Sequence, residues 1–145
     1  MLAGIIVAVS LLLTRAASTS LQDAGSEFLR ARELAQDRAA QSDLRNALAA
    51  AKVYFTDDDS YLGFDAATGQ TIEPTLVWVD GEGAPPGDDA VGISPAGRSS
   101  GTVVLNADSE SGRSFCIADH TLLSATVRGV GPAASFEECA ALPQW

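Results

Sequence analysis

The sequence predicts an α+β fold, a long N-terminal helix packed against a small antiparallel β-sheet. A helical pattern of apolar residues runs from about 24 to 55, with no proline before Pro74. Beyond Ser60 the texture changes to short β-type runs punctuated by Gly, Pro, Asp, Ser and Thr. Strands and helices do not alternate, so a parallel βαβ architecture is not expected. The chain of 145 residues, 46% hydrophobic, suffices for one domain and is too small for two.

The first element is the apolar run at 2–13 (LAGIIVAVSLLL), broken only by Gly4 and Ser10. As a helix it would span roughly 18 Å, short of the roughly 20 residues a lone membrane-crossing helix needs. Its length suits the apolar part of a secretory signal, with Ala16, Ala17 and Ser18 as cleavage context, although the only nearby basic residue, Arg15, follows the run. The remaining reading is an incomplete or already processed start, with the run continuing as one helix into the next segment.

In that segment Leu44, Leu48, Ala51 and Phe55 recur at helical spacing and form an apolar face. Arg30, Glu33, Asp37, Arg38, Gln41, Asp43 and Arg45 are expected to form a solvated face of mixed charge, and the Arg30/Arg32 and Glu33/Asp37 series offers pairing between subunits at most. Alanine is dense between 39 and 51, which favours helix and close approach of a neighbour. Thr56 and the carboxylates Asp57, Asp58 and Asp59 are expected to end the helix. Strands are expected at 75–79, 91–93, 102–105, 114–117 and 122–127, with loops at 81–87 and 94–101. The expected organisation is a hydrophobic segment 1–23, a second half of the helix at 24–56 and a β-rich region at 60–145.

Net charge is −10, and the eight Arg and one Lys are scattered, so nucleic-acid binding is not expected. One His and two Cys leave little for acid–base or metal chemistry. Asp57, Asp58, Asp59 and Asp65 carry calcium-ligand chemistry, but not at the spacing of an EF-hand loop, and read as a solvated turn. Asp119, His120 and Ser114 supply the residue types of a hydrolytic triad without a Gly-x-Ser-x-Gly elbow, and His120 reads as an exposed loop residue. Trp78, between Leu76, Val77 and Val79, reads as core, whereas Trp145 would cap the core or touch a neighbouring subunit. No catalytic residue, metal or cofactor is expected.

The stretch 28–61 (FLRARELAQDRAAQSDLRNALAAAKVYFTDDDSY) resembles the second half of the long helix, and the first loop, of type IV pilin-like and type II secretion pseudopilin-like proteins. The stretch 103–119 (VVLNADSESGRSFCIAD) is similar to central strands of the same family, especially in actinobacterial-looking members. Together they cover about half of the chain in family order. The resemblance implies a non-enzymatic subunit of a cell-surface or secretion filament, a fimbrium-like assembly, with the processed and methylated N-terminus of that family. Its N-terminal helix would wait in the membrane and then pack in the filament core, through Ile5, Ile6, Val7, Leu11, Leu12 and Leu13. Phe28, Leu44, Leu48, Phe55 and Trp78 would form the helix–sheet core. The implied partners are other pilin subunits, the membrane and the pilus assembly machinery, and the implied location is membrane-anchored, exported and at the cell surface.

The family's basic leader has no counterpart here, Asp23 is the first carboxylate, and the mid-helix proline is missing. The expectation is therefore a different true start, a divergent minor subunit, or a pilin headgroup behind another membrane segment. In an exported protein Cys116 and Cys139 are expected to form one disulfide worth about 3 kcal/mol, closing the C-terminal region as in disulfide-bearing pilins. Two buried thiols are the alternative. The competing functional reading is a secreted or membrane-tethered β-rich binding module whose N-terminal signal is cleaved.

Overall fold

A computed structural model describes residues 2–83 and 89–145, with side chains from Asp23 onward. The chain divides into two units, Met1–Ala35 and Gln36–Trp145. The first unit is helical throughout its described part. Ile5, Ile6, Val7, Leu11, Leu12 and Leu13 lie outside the residues whose side chains are described.

Helix α1 spans Leu2–Asp58 and so contributes to both units. It ends where Asp59 enters the left-handed region (φ 53°), a conformation Asp tolerates better than most residues, while the Asp59 N–H still donates to the Phe55 carbonyl at 2.8 Å. From residue 36 onward Asp37, Ala40, Leu44, Ala47, Leu48 and Ala51 are buried, a stripe at three- and four-residue spacing.

The second unit adds α2 (Ala66–Ile72), β1 (Val77–Asp80), β2 (Ala90–Ile93), β3 (Thr102–Asp108), β4 (Ser114–His120), β5 (Ala125–Val130) and α3 (Phe136–Ala141). The strands form one sheet in the order β1-β2-β3-β4-β5. Three of its pairings are antiparallel as expected, but β1 and β2 run parallel, in register Val77↔Ala90 to Asp80↔Ile93. The sheet is therefore mixed.

Side chains of β3 and β4 alternate between two covered faces. Val103, Leu105, Ala107, Phe115 and Ile117 face the core shared with α1, whereas Val104, Cys116 and Ala118 face Ala133, Phe136 and Cys139 at α3. Both middle strands are consequently buried on both sides, and the unit has three layers, helix, sheet and α3.

The two short helices are absent from the sequence-based expectation, although each carries a starting signal. Asp65 accepts from the Thr68 N–H at 2.8 Å and caps α2. Ser135 accepts from the Glu138 N–H at 3.2 Å, and Glu138 accepts in return from the Ala134 N–H, a variant of the capping box. The last strand also begins later than expected, at Ala125. Leu122 and Leu123 lie exposed in the preceding turn, which is set by the Ser124 N–H bonding the Thr121 carbonyl at 3.0 Å and by Ser124 at φ 48°.

Cys116 and Cys139 form the expected disulfide. It joins the middle of β4 to α3, and both cysteines are fully buried.

Candidate functional site

Three features of the described residues invite a functional reading: the apolar residues of α1 before the sheet, a buried polar network and two polar cavities. The first lies in the unit Met1–Ala35. Every side chain from Asp23 to Ala35 is exposed, including Phe28 at 69%, Leu29 at 57% and Leu34 at 50%. Phe28 is thus not part of the helix–sheet core, because burial on α1 begins only after Ala35, within the unit that contains the sheet. Leu44, Leu48 and Trp78 do lie in that core, and Phe55 is partly buried against it.

The core is arranged around aromatic contacts. Phe55 lies 4.7 Å from Tyr61, and Phe64 meets Trp78 edge-on at 5.5 Å. The Trp78 Nε1–H donates to the Glu73 carbonyl at 3.0 Å, which satisfies the one polar atom of a buried indole. α2 approaches this ring through Gly69, where a Cβ would sit 2.5 Å from Trp78 Cδ2.

At the far end of β4 the alternation carries Asp119 onto the same face as Phe115 and Ile117. Its carboxylate accepts from Tyr61 Oη at 2.9 Å and Thr126 Oγ1 at 2.6 Å, and pairs with Lys52 Nζ at 2.9 Å. Burial alone pushes the Asp119 carboxyl up, but these hydrogen bonds and the Lys52 charge outweigh it and hold the group below the usual carboxylate range. Burial, then the bond to Asp119, pushes the Tyr61 phenol well above its ordinary value. An ionised carboxylate with all its partners in place is a structural tie between α1, the loop after it and two strands.

A second tie corrects the expectation for the charged face of α1. Asp37 is buried, not solvated: Arg113 Nη1 lies 2.7 Å from Oδ2 and Ser111 Oγ bonds Oδ1. The turn between β3 and β4 folds onto α1 and removes this position from water. Glu33, in the other unit, is exposed, as are Arg30 and Arg32.

The triad residue types are not brought together. Ser114 opens β4 and bonds Asp108, His120 closes β4, and Asp119 points to the opposite face of the sheet from its neighbour. His120 is not an exposed loop residue either. It is partly buried at the strand end, edge-on to Phe136 at 5.4 Å, with Nδ1 buried and unpartnered. Ser99, Thr102, Ser135 and Glu137 join it around a cavity of about 150 Å³. A larger cleft of about 260 Å³ lies between α1 and the β3–β4 turn, with Gln36, Asp43, Asp89 and Asp108 in its lining. Burial, and then the charge of Asp89, raises the Asp43 carboxyl.

Comparisons of the chain with protein-family models, curated proteins and solved structures give no match.

No group of three or more His, Cys, Asp or Glu suited to a metal ion occurs among the described residues. Asp57, Asp58 and Asp59 are exposed at the end of α1, and the Asp65 carboxylate is engaged as the α2 cap, which also holds it below the usual range. No described helix is long and apolar enough to cross a membrane.

Proposed function

We propose that this chain is a non-enzymatic structural subunit of pilin or pseudopilin type, assembled into a cell-surface or secretion filament through its N-terminal helix. The observation that carries the reading is the change in environment along α1. From Gln36 the helix buries its apolar stripe under the chain's own sheet, whereas Phe28, Leu29 and Leu34 present large apolar side chains to solvent. Burying each of these would stabilise an assembled state by about 1.5–3 kcal/mol. A filament core built from neighbouring helices supplies that burial, and the apolar run at 2–13 extends the same interface toward the membrane. The expected partners are further subunits and the assembly machinery, with packing as the mechanism.

The first test is mass-spectrometric sequencing of the mature N-terminus in native protein from sheared surface filaments and from culture supernatant. A chain that retains residues 5–13 in the sheared fraction supports assembly through the helix. A chain that begins near Ser18 and is free in the supernatant sinks it and favours a secreted binding module. Leu34→Asp provides the second arm. Because Leu34 is exposed in the single chain, the variant is expected to keep its unfolding midpoint and be lost from the sheared fraction.

A further inference from the structure

The buried disulfide has a thin and separately anchored cover. A Cβ on Gly129 would stand 2.7 Å from Leu142 Cβ and 2.9 Å from Cys116 Sγ, so Leu142 and the disulfide pack against the same point of β5. Past Leu142 the chain crosses the outer edge of the sheet, where the Val130 N–H donates to the Pro143 carbonyl at 2.7 Å. It ends up on the other face. There the Trp145 ring meets Phe115 edge-on at 6.2 Å, and the guanidinium groups of Arg45 and Arg128 stand over the ring at 5.3 and 5.5 Å. The Trp145 Nε1–H donates to the Cys116 carbonyl at 3.1 Å.

We propose that residues 142–145 are a redox latch: their release from β5, and not unfolding of the domain, sets the rate at which an external dithiol reaches the Cys116–Cys139 bond. In the closed state both cysteines are fully buried, so no thiolate can approach either sulfur along the S–S axis. Opening the latch breaks the Val130–Pro143 backbone hydrogen bond and the indole hydrogen bond, lifts Leu142 from the α3 side and lifts the Trp145 ring from the rim of the helix–sheet core at Phe115, while the buried stripe of α1 stays in place. Such local openings are populated far more often than the globally unfolded state. Once the latch is open, a thiolate of the dithiol attacks one sulfur and forms a mixed disulfide, and the other cysteine leaves as a thiolate. The second thiol of the reagent then closes on the mixed disulfide. The dithiol is oxidised to its cyclic disulfide, and two cysteine thiols remain on the protein. Reduction would then untether α3, held otherwise by the packing of Ala133 and Phe136 and by the bonds between Asn106 and Ala133.

The test is the rate of thiol release from the full chain in excess dithiothreitol, for wild type, Trp145→Ala and Leu76→Ala. Trp145 sits across the sheet from the sulfurs, so its truncation cannot bare them directly. A rate increase on the order of tenfold is expected for Trp145→Ala. Leu76→Ala, which weakens the distant core, is expected to leave the rate near wild type. The wild-type rate is also measured across low urea concentrations. A nearly flat dependence marks a small local opening, whereas a slope equal to that of global unfolding overturns the latch, as does a Trp145→Ala rate equal to wild type. The urea series needs no variant and decides the matter even if Trp145→Ala does not fold.

Discussion

The Tyr61 hydroxyl donates to Asp119 Oδ2 at 2.9 Å across a sequence separation of 58, and both side chains are almost wholly buried. This bond fixes the loop that follows α1 against the end of β4, with Lys52 and Thr126 completing the carboxylate's partners. Tyr61→Phe removes a hydrogen bond to a charged acceptor and is expected to cost about 1.5–3 kcal/mol. Lys52 is half-exposed, and Lys52→Met is expected to cost less than about 1 kcal/mol. Urea denaturation of the two variants and of the double mutant checks the ranking, and the double mutant should cost less than the sum because the two partners share one carboxylate.

The same carboxylate gives the stability a pH dependence of known sign. Asp119 is held below its ordinary value of 3.8, so its contribution is present above that value and is lost as pH falls through the lower folded-state value. Asp43 is shifted the other way by burial and Asp89: its stabilising contribution belongs to the protonated form and is lost as pH rises through the raised folded-state value. Asp43→Asn is therefore expected to gain stability at neutral pH relative to wild type and to gain none in strong acid. Unfolding midpoints measured from acid to neutral pH read both effects.

Asp37 ties the β3–β4 turn to the helix. Asp37→Ala leaves Arg113 and Ser111 without their acceptor and is expected to destabilise by about 1–2 kcal/mol, because the half-exposed Arg113 turns to water. Arg113 is half-exposed like Lys52, and Ser111 still holds the carboxylate, so Arg113→Ala should cost less, about 1 kcal/mol. If the pair acts as one unit, the double variant is less destabilised than the sum of the singles, which a thermal-denaturation cycle would show.

Gly69 is where α2 reaches the Trp78 ring. Its absent side chain is a packing requirement, since an added methyl would overlap the indole. Gly69→Ala is expected to cost about 1–3 kcal/mol despite the better helix propensity of Ala, and to shift Trp fluorescence. Gly25→Ala, with open space around it, should instead leave stability unchanged or raise it slightly.

Cys116→Ser with Cys139→Ser removes the only disulfide among the described residues and is expected to cost about 2–4 kcal/mol at equilibrium. The measurement is a urea midpoint under non-reducing conditions, with the fully reduced wild type as the matching control.

Where local physics suffices, the sequence determines the outcome by itself. The helical pattern at about 24–55 specifies the described helix from residue 23 to Asp58 and the apolar face of Leu44, Leu48 and Ala51, and the β-type runs place the strands to within a few residues because alternation is written into neighbouring positions. The pairing of Cys116 with Cys139 follows from there being no other cysteine once export is assumed. Even the two short helices carry legible signals at Asp65 and Ser135, which were hidden by the surrounding turn residues. Only the tertiary structure decides that Asp37 is buried while Glu33 is not, that Phe28 is exposed while Leu44 is not, and that β1 pairs parallel to β2. These depend on which distant segment arrives at a given position: the turn carrying Arg113 reaches residue 37 of the helix, and burial of its apolar residues starts beyond residue 35. Helical and strand periodicity state which side chains share a face. Burial, ion pairing and strand direction are set by what covers that face, which is a property of chain segments far apart in sequence.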